Sequence, residues 1–203
     1  MIARRAILAA LLAVQGAALS ISVRAETPAP VVPVATLLDG LQAVMKAGHA
    51  TPFATRVAKL GPIVDSSFDL NSILAASVGP RWNGFAPDAR AALFAAFRDF
   101  TIASWVANFD VDEGQRFVIA PETRAVGTDQ IVTTRIVPTS GEPTRLDYVM
   151  RNGGGGWKAV DILVDGAISR AAVQRSDFRA LLKDGNPAAL IANLKDKAAE
   201  LAR

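Results

Sequence analysis

Gly114 divides the chain by the period of its hydrophobic pattern. Before it, apolar residues recur every three to four positions. After it, for about fifty residues, they recur every second position, and then the helical period returns. Four runs make up the middle stretch, at about 115–120, 130–137, 144–151 and 157–164. They are rich in Val, Ile, Thr, Tyr and Trp and bounded by Pro, Gly, Asp and Ser. The second and third are joined by Thr139 to Pro143, the third and fourth by Asn152 and Gly153–Gly156. Links this short cannot carry a parallel crossover, so the runs form an antiparallel meander. Helices on either side of an antiparallel sheet give an α+β fold with a four-stranded sheet.

The flanking helices are marked by their punctuation. Val34, Leu37, Leu38, Leu41 and Met45 share a face, and Gly48 ends that run. Thr51-Pro52 reads as a cap with proline at the first helical position, and Gly61-Pro62 as the stop. Asp69 can cap a short helix closed by Gly79-Pro80, and Pro87 opens the longest one. On that helix Leu93, Phe94, Phe97, Thr101, Trp105 and Phe109 form one broad stripe. Ser169 and Asn186-Pro187 begin the last two helices. The helices carry more apolar surface than the inner face of a four-stranded sheet can cover. They either build a core of their own or line a cavity against a concave sheet.

Met1–Arg5 is basic, Ala6–Val23 is apolar, and Val23-Arg24-Ala25 places small residues at −3 and −1. That is the layout of a secretory signal peptide cleaved after Ala25, with residues 26–33 as an extended proline-bearing arm and 34–203 as one domain. Three of the 22 basic residues, Arg4, Arg5 and Arg24, lie in the leader, which holds no acid. The remainder balances nineteen bases against nineteen acids, so the net charge of +3 argues for no nucleic-acid partner. With no cysteine and one histidine, thiol nucleophiles, thiolate metal sites and disulfide frameworks are excluded, and no cofactor is indicated. Gly153–Gly156 lacks the Lys-Ser/Thr and following helix of a phosphate loop and reads as a hairpin link. His49 reads as a loop residue, and Asp110, Asp112 and Glu113 as a solvated turn.

In the third and fourth runs, strand parity sets Leu146, Tyr148 and Met150 on one face. In the fourth, Trp157, Ala159, Asp161 and Leu163 share one face, and Val160, Ile162 and Val164 the other. Asp161 breaks an apolar face, so it needs a partner, an arginine or a backbone N–H. Its role is read as structural, with Trp157.

From Phe68 onward the chain resembles the MlaC (toluene-tolerance) family of periplasmic lipid-binding proteins. The resemblance rests on Leu93–Phe100, Ala120-Pro121-Glu122, Arg145–Tyr148, Gly156–Ile162 and Asp165–Ser169. Ser77–Trp82 and Trp105–Asp110 look most like the hopanoid-associated HpnM branch. The resemblance implies a twisted, NTF2-like sheet under helices around a lipid-tail cavity. It implies no catalytic residues. The function expected is a periplasmic shuttle for a membrane lipid, phospholipid or hopanoid. Its partners would be an inner-membrane lipid transporter and an outer-membrane lipoprotein complex. The expected wall residues are Phe97, Thr101, Trp105, Phe109, Tyr148, Val160 and Ile162. Two other readings compete: a cavity enzyme of the isomerase or cyclase type pairing Asp161 with Tyr148, and a structural protein with a filled core.

Overall fold

The computed structural model describes residues 29–182 and 185–203, so the leader read as a signal peptide and the first three residues of the proline arm lie outside the described residues. Helix α1 (Val31–Ala47) begins inside the stretch read as an extended arm. Pro33 sits in its first turn, where an N–H would have no carbonyl to meet, so the proline costs the helix nothing. Helix α2 (Phe53–Ser67) runs through Pro62 instead of stopping at Gly61-Pro62. The reason is packing. Gly61 lets α2 press against the helix that carries Arg98 and Ile102. Ile63 fills the space left by Gly40 on α1, where a Cβ would come within 2.7 Å of Ile63 Cδ1. Burial of this interface outweighs the roughly 3 kcal/mol a mid-helix proline costs.

Helix α3 (Leu70–Val78) is capped by Asp69, whose Oδ1 accepts from Ser72 N at 3.0 Å. A 3-10 stretch (Gly79–Gly84) leads to α4 (Pro87–Asn108), the longest helix, opened by its proline. The strands follow: β1 (Arg116–Val126), β2 (Asp129–Val137), β3 (Thr144–Asn152) and β4 (Trp157–Val164). They are an antiparallel meander in sequence order, as the link lengths require, but the sheet has five strands rather than four. The turn at Asp165, Gly166 and Ala167 sends the chain back as β5 (Ile168–Ser169). Asp165 and Gly166 both take positive φ there (52° and 73°), a conformation Asp and Gly tolerate best. Pro121 falls where the β1–β2 ladder is irregular, between Ile119 and Thr123, so no ladder donor is lost. Helix α5 (Arg170–Arg179) and, after a 3-10 turn (Ala180–Leu182), α6 (Ala188–Leu201) complete the chain.

The helices pack in pairs, α1 on α2, α3 on α5 and α4 on α6, and α1, α2, α3 and α5 all touch β4. Val132, Tyr148, Met150 and Ala159 are the buried apolar inner residues of the sheet, with Thr134 beside them. On the opposite face Asp147 is also fully buried. Arg145 covers it, with Nε and Nη2 at 2.8 and 2.6 Å from its two oxygens.

Candidate functional site

The position of every strand residue near the site follows from one irregularity. Tyr148 pairs with Ile162 and Val149 with Asp161, but Met150 pairs with Ala159. Val160 is the extra residue of a β-bulge. The bulge resets parity within β4, so Ala159 and Ile162 share the helix-covered face while Val160 and Asp161 lie opposite Val149. The alternation expected through the whole strand, with Val160 beside Ile162, therefore does not hold, and Val160 is off the cavity wall.

Between α4, α6 and the β3–β4 pair lies a cavity of about 750 Å³. The four-residue step of α4 sets Phe97, Thr101 and Trp105 along it, and Phe109 continues the line just past the helix. Ile162 and Val164 of β4 and Leu146 of β3 face them. Aromatic rings form a continuous file along this wall. Phe68 lies 5.8 Å from Trp105, which stacks on Phe109 at 5.6 Å, and Phe109 touches Phe117 at 5.7 Å. Phe97 closes one part of the wall, only 1% exposed and edge-on to Phe178 at 6.5 Å. Polar residues lie on the remaining stretch: Asn108, Thr144, Arg170, Gln174, Lys197 and Glu200. An apolar interior rimmed by a few charges is suited to an amphiphile.

Five of the seven expected wall residues thus meet in one cavity: Phe97, Thr101, Trp105, Phe109 and Ile162. Tyr148 does not. It is fully buried behind the wall, 6.4 Å from Phe68 ring to ring. Burial alone raises its phenol well above the ordinary value. Its hydroxyl has no partner among the described residues. Asp161 does reach the cavity lining, but both oxygens are engaged. Oδ2 accepts from the Ser169 hydroxyl at 2.5 Å and Oδ1 from Ala171 N at 3.1 Å. The partner of this carboxylate is therefore the first turn of α5, helped by the helix N-terminal field. Asp161 and Tyr148 do not share a cavity, so the acid–phenol pairing of a cavity enzyme has no geometry here. Trp157 pairs with Asn152 and packs on the core rather than on the cavity.

Phe68, Leu146 and Val164 were missed as wall residues, although strand parity had already grouped Leu146 with Tyr148. The contributions of α5 and α6 had no sequence signal, since nothing local says which helices close over a sheet. A second recess of about 570 Å³ adjoins the first through Phe68 and Leu70, beside the glycine hairpin. Its cations are committed. Arg98 grips both oxygens of Asp65 at 2.8 and 2.6 Å, Arg151 does the same to Asp129, and Lys158 Nζ donates to the Asp65 carbonyl at 2.8 Å.

The family model for MlaC protein matches residues 35–196. Among solved structures, the phospholipid-binding protein from Ralstonia solanacearum in complex with a phospholipid matches with a TM-score of 0.69. The two chains are 23% identical, and the match covers 85% of this chain and 98% of that one. Likeness at this identity establishes a shared fold.

Proposed function

The chain belongs to the MlaC family, and from that premise we propose that it is a periplasmic carrier that encloses the tails of a membrane lipid in the α4–α6–sheet cavity. The observation that carries the reading is the cavity itself: about 750 Å³ walled by a file of aromatic and aliphatic side chains in a protein with one histidine and no cysteine. The solved Ralstonia protein of the same fold binds a phospholipid. The physics demands such an enclosure. Each CH₂ exposed to water costs roughly 0.8 kcal/mol, so a diacyl lipid crossing open water meets a barrier of about 20 kcal/mol. A carrier removes that barrier by burial alone and needs neither cofactor nor chemistry. Arg170, Gln174 and Lys197 line the same cavity and are the donors that would meet a phosphate-bearing headgroup. The donor and acceptor of the lipid would be an inner-membrane transporter and an outer-membrane lipoprotein complex. Exposed lipid-carrying states of both would abut the polar rim.

The test is native mass spectrometry of the protein purified from its host, followed by extraction of whatever it carries. One lipid per chain is the expected result, and the extract tells a phospholipid from a hopanoid, the cargo the HpnM-like stretches suggest. Ser104→Trp puts an indole into the cavity from a half-buried wall position. This variant should fold and lose most of its lipid. A folded wild-type protein free of lipid, or a Ser104→Trp variant as fully loaded as wild type, overturns the reading.

A further inference from the structure

We propose that the hydroxyl of Thr101 is a polar station in the lipid cavity that donates a hydrogen bond to an acyl-ester carbonyl, making the carrier selective for ester-linked lipids. The inference rests on the carrier reading above and deepens it. Thr101 lines the cavity in the middle of the aromatic stripe, one turn from Phe97 on one side and from Trp105 on the other. Its Oγ1 is shielded from solvent and has no partner among the described residues. A hydroxyl on a helix can reach the carbonyl four residues back. Elsewhere in this molecule the bond is made. Thr36 donates to Val32 O at 3.0 Å, Ser77 to Ile73 O at 2.8 Å, and Ser104, three residues further along the same helix, to Phe100 O at 2.7 Å.

A wall built only to hold hydrocarbon would carry valine or alanine here. A buried hydroxyl left unpaired is a net cost to the fold, whereas one that finds an acceptor repays it. Threonine on a helix has two open χ1 wells. In the observed position Oγ1 is shielded; the proposal uses the other well, from which the hydroxyl would meet a ligand in the cavity that Thr101 lines. The hydrocarbon part of a lipid offers no acceptor. The carbonyls that join acyl chains to glycerol are the acceptors that lie next to the tails, and a carbonyl oxygen takes a hydroxyl proton without any change in charge. An ether-linked lipid of the same chain length has the same apolar surface and lacks that carbonyl.

The experiment loads delipidated protein with an equimolar mixture of diester and diether phosphatidylethanolamine of matched chains, and reads the bound ratio by native mass spectrometry. Wild type should take the diester about threefold to tenfold more, the discrimination one net hydrogen bond supplies. Thr101→Ser, which keeps the donor, should retain the preference. Thr101→Val, isosteric without the donor, should take the two equally. An even ratio in wild type, or a preference that survives in Thr101→Val, overturns the assignment while leaving a lipid carrier standing. Failure of wild type to load either lipid overturns this assignment, and the carrier reading then stands or falls on the lipid extracted from the protein purified from its host.

Discussion

Asp161 shows how one side chain ties three elements together. It stands at the bulge of β4, holds the Ser169 hydroxyl at the end of β5, and accepts from Ala171 N in the first turn of α5. Asp161→Asn replaces a charge-assisted acceptor by an amide and should cost about 1–2 kcal/mol. Urea denaturation measures that loss, and lipid bound per folded molecule should not change. Asp147 offers a second residue-level test. Burial pushes its carboxyl upward, but hydrogen bonds from Arg145 and Thr133, with the charges of Arg145 and Arg124, outweigh burial and leave it below the ordinary value. A carboxyl lowered in the folded state contributes stability at pH above its unfolded value, near 4, and that stability fades as pH falls through the folded value. Asp147→Asn should therefore melt below wild type at pH 7, with the gap narrowing toward pH 3. A gap of constant size across that range would mean the loss is steric rather than ionic.

At the level of elements, α4 does most to define the cavity and β4 decides what faces it. The stripe on α4 was legible because a helix advances a constant angle per residue, so residues four apart share a face whatever they pack against. The β4 face was not legible. A strand's parity survives only while its ladder is regular, and one extra residue, Val160, resets it. Phe97 belongs to both cavity and core: it lines the void yet is almost fully buried against Phe178. Phe97→Gln should accordingly cost about 2–4 kcal/mol as well as lipid occupancy. Thermal melting of the lipid-free form reads the first effect separately, and an unchanged melting temperature would place Phe97 on a freely adjustable wall.

The exported protein should begin at Glu26, so intact mass of the periplasmic fraction should match Glu26–Arg203; a full-length membrane-bound species would contradict the leader reading. What the sequence determined by itself is everything governed by local periodicity and local chemistry. That includes the α+β class, the meander, the helix starts at Asp69, Pro87 and Ser169, the apolar stripe of α4, and the lack of any thiol. These follow from backbone geometry and side-chain type within a window of a few turns. Tertiary structure alone decided the rest. Pro62 stays inside α2 because Gly40 and Gly61 allow three helices to close around it. Tyr148 is walled off behind Phe68 rather than offered to the cavity. Lys197 and Glu200 of α6 meet Arg170 of α5 around one cavity although the two helices are separate in the chain. Each depends on which surfaces meet in space. That choice is set by how much apolar area a given docking removes from water, summed over residues far apart in the chain, and no local window of sequence contains the sum.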